Sequence, residues 1–473
     1  MSDATTSRRG SNPDSPGLSQ RLFGGGSWLA LAFAVGACLV IFSGNRNGRA
    51  ASDMINYHEP AIRTFAQQWP AFDFSDYLSA TTPGYHIVLA TVARWVNAAT
   101  PALQLAGLLF SLRLISTLAG FAARRRGPLD ALLLAAPFAA SLYVFVSGAY
   151  LLPDNAGWLG VLLVLAVALR DTQTWGSLAL GGVALAALVF TRQIHIWAAA
   201  PLWIAAFVHP PVRAGASVAL SSRVRAAVIA FAFTLPAFGV LAAFARLWGG
   251  LTPPMFKEFH ASGINPAAPA FLLSLIGGLS VVFARWWWPA LRDLHRTWRW
   301  AVPAAAVVGL GLAIVPATTY DQQAGRWAGV LWDVSKRLPV LAGHTAPIFV
   351  VLAPLGAVVL AALLTASSKA RPGMGWVLLV TLLAFTAAQA ASYQLWQRYN
   401  EPFALMFLAL ACALVPDPNP AQPGGIGRTL RWLPLVMALG FAAMTGWKVT
   451  HDAPAGTFDV LKPRLEDLAP GQR

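Results

Sequence analysis

Apolar runs recur along the chain from Trp28 to Trp447, and several reach the roughly 17 to 25 residues that a helix needs to cross a hydrocarbon layer. In lipid every backbone N–H and C=O must be satisfied within its own segment, so the runs read as helices. Short basic loops separate many of them: Arg124-Arg125-Arg126, Arg170, Arg213 to Arg225, Arg285 to Arg299, Lys369 to Arg371, and Arg428 to Arg431. Placing these loops on the cytoplasmic side, as the positive-inside rule requires, leaves 44 to about 83, 150 to 155, 192 to 196, 248 to 267, 317 to 345 and 393 to 401 on the other side.

The pattern predicts an all-α, polytopic transmembrane bundle of about 13 spans, within 12 to 14, with a long first outer loop bearing short interfacial helices. Residues 84 to 98 are too short and too polar for a full crossing, with His86 and Arg94 among them, and are expected to lie in the interface. Residues 1 to 24 form a polar, disordered cytoplasmic head without a convincing signal-peptidase site, residues 25 to 450 one membrane domain, and residues 451 to 473 a polar outer tail. No internal repeat is visible.

Composition agrees with the pattern. Of 473 residues 57% are hydrophobic and 11% charged, against about 25% charged in soluble domains. The formal charge of +15 resides largely in short loops, which reads as membrane topology and not as a nucleic-acid surface. The abundance of Ala, Gly and Arg fits a GC-rich bacterial genome, hence a bacterial inner membrane with the outer loops periplasmic or extracellular. Cys38 and Cys412 both lie in apolar runs, so no disulfide framework is expected. Trp286-Trp287-Trp288 and Trp298-Arg299-Trp300 read as interfacial anchors on the cytoplasmic face.

The unusual polar residues fall in the outer loops. The stretch 52 to 86 carries Asp53, His58, Glu59, Asp73 and Asp76. Pro60 suits the first turn of a short helix running to about Trp69, since its missing N–H is not needed there. Glu59 at that positive end is a candidate general base, although Glu59 and Arg63 are spaced i,i+4 as a plain ion pair would be. Asp154 and Asn155 lie at the outer end of a span, where a helix cap is the simpler role. Arg192, Gln193 and His195 follow an apolar run directly, and a charge at the bilayer boundary is costly unless paired or used. Arg398, Tyr399 and Glu401 form a polar turn before the last spans, while His260 and His344 are lone outer histidines of structural character. Neither a metal-ligand spacing nor a Walker-type phosphate loop is present, so no metal and no cofactor are expected.

In order along the chain, several short stretches resemble the GT-C membrane glycosyltransferases, and among them the dolichyl-phosphoglucose α-1,2-glucosyltransferases. His58-Glu59-Pro60 resembles that family's H-x-P, and Thr81-Thr82-Pro83-Gly84-Tyr85 its T-T-x-P-G-like stretch. Leu112-Arg113-Leu114 is similar to its L-R-F, Tyr150 to Asp154 to its Y-Y-T-D, Arg192-Gln193 to its F-R-Q-T-N, and Arg398-Tyr399 with Pro402 to its E-P-R-Y. The acidic pair before the H-x-P is reduced here to Asp53, one position further away, with Glu59 following His58, so both carboxylates stand as candidate bases.

The resemblance implies transfer of a hexose, glucose in that family, from a polyprenyl-phosphate donor to an acceptor hydroxyl outside the cytoplasm. The acceptor is a glycan, a lipid or a protein, and no nucleic acid is involved. It implies Glu59 or Asp53 as base with His58 assisting, Arg398, Arg192 and Tyr399 at the donor phosphate, and Asp154, Asn155 and Gln193 at the sugar or orienting the base. The rival from another class is a secondary transporter or lipid flippase, which requires charges near the bilayer midplane and broken helices in matched halves.

Overall fold

A computed structural model describes residues 25–211, 219–257, 263–416 and 429–458. The head 1 to 24, His260, Arg213, Arg428 and the end of the tail lie outside the described residues. The described chain is helical, with three isolated β-bridges and no named strand.

The helices, in order, are α1 (Gly25–Phe42), α2 (Arg49–Asp53), a π-helical turn (Met54–His58), α3 (Glu59–Gln68), α4 (Gly84–Val96), α5 (Thr100–Arg126), α6 (Pro128–Ala140), α7 (Leu142–Ala149), α8 (Asp154–Ala168) and α9 (Trp175–Thr191). A 3-10 turn (Gln193–Ala198) leads into α10 (Ala199–Val208), followed by α11 (Leu220–Trp248), α12 (Ala268–Ser280), α13 (Ala284–Thr297), α14 (Ala301–Ile314), α15 (Val330–Arg337), α16 (Pro347–Ala370), α17 (Met374–Ala390), α18 (Gln397–Leu414) and α19 (Leu433–His451).

The chain is a multi-pass membrane protein. Among the described residues five stretches are long and apolar enough to cross a bilayer: α5, α11, α12 with α13, α16 and α19. The pair α6 and α7 adds a sixth, bent by 71°, and six apolar helices of 10–17 residues accompany them. Leu220, Val228 and Leu235 on α11, and Val436 and Leu439 on α19, are exposed. Apolar side chains on such a face are at rest in lipid. α18 is the opposite case: from Asn400 to Leu414 every residue is buried, so this helix runs through the centre of the bundle.

Contacts between loops sort the helix ends into two groups. At one end Arg125 pairs with Asp171 at 3.5 Å, Arg371 pairs with the same carboxylate, Lys369 pairs with Asp293 at 2.6 Å, and Arg431 pairs with Asp130 at 2.7 Å. At the other end Asn45 donates to the Val449 carbonyl, Trp248 to that of Phe74, and Asn265 to those of Ala324 and Tyr393. The loops expected on one side by their lack of basic clusters therefore meet one another in space.

α4 begins against the α9 end, where a Cβ on Gly84 would lie 2.7 Å from the Phe190 carbonyl oxygen, and it finishes beside Arg63, which donates to the Ala98 carbonyl at 2.7 Å. Both of its ends thus stay at the loop-rich end. At about 20 Å it is also shorter than the roughly 30 Å hydrocarbon layer, as an interfacial helix should be.

The tryptophan run departs from expectation. Trp286 and Trp287 are buried, the Trp287 indole donating to the Ser280 carbonyl at 2.7 Å, while Trp288, Trp298 and Trp300 are exposed. On the strongly amphipathic α13, three consecutive residues cannot share a face, so only Trp288 of the three can serve as an anchor.

Candidate active site

The polar end of the bundle is built on α18. Its first turn carries Gln397, Arg398 and Glu401, and its N-terminus is fastened by two backbone bonds from neighbouring residues, Leu395 N–H to the Gly325 carbonyl at 3.0 Å and Gln397 N–H to that of Ala328 at 3.1 Å. Around Arg398 the chain folds four charged residues into a line. Arg398 pairs with Asp53 Oδ2 through Nη1 at 2.6 Å and with Asp154 Oδ2 through Nη2 at 3.1 Å, and Arg192 pairs with the other Asp154 oxygen at 2.5 Å. Asp53, Asp154, Arg192 and Arg398 are separated by up to 345 positions, so only the tertiary fold joins them.

Each member is held differently. Asp154 is 8% exposed with both oxygens occupied, which makes it a brace between two guanidinium groups. Asp53 ends the short α2 and is bonded through Oδ2 only, its Oδ1 having no hydrogen-bond partner among the described residues. Arg398 uses two of the five N–H groups that a guanidinium offers. Tyr399 lies beneath both arginines, its ring centroid 5.2 Å from the Arg192 guanidinium carbon and 5.7 Å from that of Arg398. Such a contact attracts the cation through the ring and uses none of its hydrogen-bond donors.

The other expected residues have separate duties. Glu59 accepts from Arg63 at 3.0 Å and from the Thr100 hydroxyl at 2.5 Å, so the i,i+4 pair forms, and no hydrogen bond or ion pair joins Glu59 to the Asp53–Arg398 line. Asn155 is buried, donating to Ser111 Oγ and the Val144 carbonyl, and so fixes the start of α8. Gln193 donates to the carbonyls of Ala80 and Leu251 and accepts the Thr82 N–H, so it pins the Thr81 to Gly84 stretch. His195 accepts the Trp197 indole N–H at 3.3 Å, while His344 bridges the Ala342 and Ile314 carbonyls, an arrangement that raises its pKa.

His58 meets a partner that sequence reasoning left aside. Its Nδ1 lies 2.9 Å from Nε2 of His86, and the two rings stack with centroids 5.2 Å apart. Burial lowers the His58 pKa to about 3, against the opposing pull of Asp154 and with help from Arg398 and Arg192. His86 is lowered too, by burial and then by His58. The pair is therefore neutral, with one ring donating to the other.

Beside Arg398 opens a cavity of about 370 Å³ between the 47 to 50 segment, α7, the 320 to 333 segment and the facing ends of α18 and α19. Arg49, Tyr143, Trp327, Asp333, Trp396 and Glu401 line it together with Arg398, whereas Arg192 does not. Glu401 is buried and accepts from Ser141 at 2.7 Å and Gln397 at 2.6 Å, with no cation among the described residues within ion-pair distance. Sequence reasoning passed over Arg49, Trp327, Trp396 and Asp333. One signal was there: Arg46 and Arg49 are basic residues in an outer loop, against the charge bias that orients the chain. Among the described residues no group of three or more His, Cys, Asp or Glu side chains is placed to hold a metal ion.

No family model and no curated protein matches the chain. Two solved structures are similar to it, those of ArnT from Cupriavidus metallidurans in the apo state and bound to undecaprenyl phosphate. Each is 16% identical to it over 82% of this chain and 76% or 77% of theirs, with TM-scores of 0.37 and 0.35. Likeness this slight carries no inference about activity.

Proposed function

We propose that the chain is a GT-C-type membrane glycosyltransferase that moves a hexose from a polyprenyl-phosphate donor to an acceptor hydroxyl at the loop-rich end of the bundle, taken as the periplasmic or extracellular face. The observation that carries this reading is Arg398, which holds a carboxylate with a free oxygen, Asp53, on one amine while it lines the cavity beside it. A donor carried by a lipid presents its phosphate at the membrane surface. The transfer there needs a cation for the leaving phosphate, a base for the acceptor, and a recess for the sugar.

In this reading Asp53 Oδ1 takes the proton of the acceptor hydroxyl as its oxygen attacks the anomeric carbon. The bond from that carbon to the phosphate oxygen breaks, and the polyprenyl phosphate leaves with the electron pair towards Arg398. Asp154 and Arg192 hold Arg398 in place, and His58, within electrostatic reach of this group, stays a neutral ring paired with His86. Geometry favours Asp53 over Glu59 as base, because Glu59 is engaged by Arg63 and Thr100. The charges stand at helix ends and the length of α18 beyond Pro402 is buried and apolar, which supports a transferase over a transport path through the bilayer midplane.

The test is transfer from a radiolabelled polyprenyl-phosphate hexose in membranes. Asp53→Asn and Arg398→Ala are each expected to lose at least about a hundredfold in kcat, the scale of a lost base or oxyanion donor. Full activity in both variants removes the mechanism.

A further inference from the structure

The cavity contains a cation that the reading above does not use. Arg49 stands at the start of α2, with its guanidinium carbon 5.3 Å from the ring centroid of Trp327 and 5.3 Å from that of Trp396. Two indoles thus hold it, and it makes neither a hydrogen bond nor an ion pair with any described residue. The contrast with its neighbours is plain: Arg398 is bonded to two carboxylates, and Lys448, the other cation lining the cavity, lies 3.5 Å from Asp452. Trp396 in turn stacks on Tyr399 at 5.7 Å and 14°, and Tyr399 lies under Arg398. One aromatic stack therefore ties the unpaired guanidinium to the paired one, and both face the same cavity.

A guanidinium held only by ring contacts spends none of its N–H donors, and its planar fork matches two oxygens of a phosphate. An unpaired cation positioned in this way is poised for an anion, since no described residue accepts a hydrogen bond from it. The same cavity carries the carboxyl groups of Asp333, exposed, and Glu401, buried, neither of which forms an ion pair with a described residue. Those groups repel a bare anion but accept hydroxyl donors. A ligand that satisfies both sets has a phosphate at one end and a polyol at the other, and about 370 Å³ falls in the range of small-ligand sites, roughly 300 to 1,000 Å³.

We propose that Arg49 is a phosphate-binding residue that, with Arg398, grips the phosphate ester of the donor in this cavity. The proposal rests on the transferase reading for the identity of the donor but not for the existence of the site. The chemistry recognised is a phosphate monoester or diester, and its source is the head group of a prenyl lipid.

The test uses the full chain in lipid nanodiscs with three probes: a polyprenyl phosphate, the polyprenol of the same length, and inorganic phosphate. Wild type should bind the polyprenyl phosphate, and Arg49→Gln should weaken it at least about tenfold, the effect of one charge-assisted contact. Arg49→Lys should fall between, because the charge stays while the planar fork is lost. Polyprenol binding should be the same in all three proteins. On unaltered protein, polyprenyl phosphate but not polyprenol should slow phenylglyoxal modification of Arg49, followed by peptide mass spectrometry; this measurement does not depend on any variant folding.

Unchanged affinity in Arg49→Gln, or absence of protection, overturns the proposal. Equal competition by inorganic phosphate and the polyprenyl phosphate overturns the lipid source. The two readings separate in the transfer assay. Arg49-dependent binding without any sugar transfer leaves the phosphate site standing and removes the transferase. Transfer that continues undiminished in Arg49→Gln with unchanged binding removes the Arg49 proposal alone.

Discussion

At the scale of single residues, the difference between Asp53 and Glu59 is one of partners. Both are carboxylates in the same loop, immediately before and after the same π-helical turn, yet Glu59 is tied to Arg63 and Thr100 while Asp53 keeps an oxygen free beside Arg398. Glu59→Gln is therefore expected to keep transfer activity within a few-fold of wild type and to lower stability by less than about 1 kcal/mol, as loss of a partly exposed pair does. Paired activity and thermal-unfolding assays check this. The His58–His86 pair sets a pH dependence. Burial lowers the His58 pKa to about 3, below its value near 6.5 in the unfolded chain, so the unfolded state binds more protons in between. The stability contributed by the neutral ring is complete above about pH 6.5 and is lost as pH falls towards 3. Unfolding midpoints measured across that window should drop with acid, and less steeply in His58→Gln.

At the scale of elements, the helices that meet most closely do so through glycine. α12 and α16 cross where a Cβ on Gly277 would lie 2.1 Å from the Leu352 carbonyl oxygen and one on Gly356 would lie 2.0 Å from that of Leu273. Contact with backbone cannot be relieved by turning a side chain, so Gly356→Ala must push the helices apart. Small residues at such crossings are the usual device of membrane helices, which gain no hydrophobic drive from lipid. Gly356→Ala should lower stability by about 1 to 3 kcal/mol, the cost of overpacking, read as a lower unfolding temperature in detergent. Short surface helices obey other rules. α3 has Pro60 in its first turn, as its sequence foretold, and an amphipathic pattern. α15 docks by Trp332, whose ring stacks on Phe271 at 4.8 Å and whose N–H reaches the Leu395 carbonyl, a docking that no local pattern announces.

At the scale of the whole molecule, the two groups of loops are the two faces of a membrane protein. In a background with Cys38 and Cys412 replaced, Ser75→Cys should react with a membrane-impermeant thiol reagent added to intact cells. Thr297→Cys, beside the Lys369–Asp293 pair, should react only after permeabilisation. Labelling of both, or of Thr297→Cys alone, contradicts the assignment of faces.

The sequence determined what hydropathy and charge can determine. Long apolar runs must be helices in lipid, basic clusters choose a side, and the loops left over gather at the other, so Asp53, Asp154, Arg192 and Arg398 were all legible as residues of one end. The tertiary structure decided which of them touch. Pairing between residues hundreds of positions apart depends on helix order and rotation within the bundle, and the sequence of a single chain carries no local signal of that geometry. For the same reason nothing local announced that Trp327 and Trp396 would meet at Arg49, whereas the i,i+4 spacing of Glu59 and Arg63 did announce the ion pair that forms.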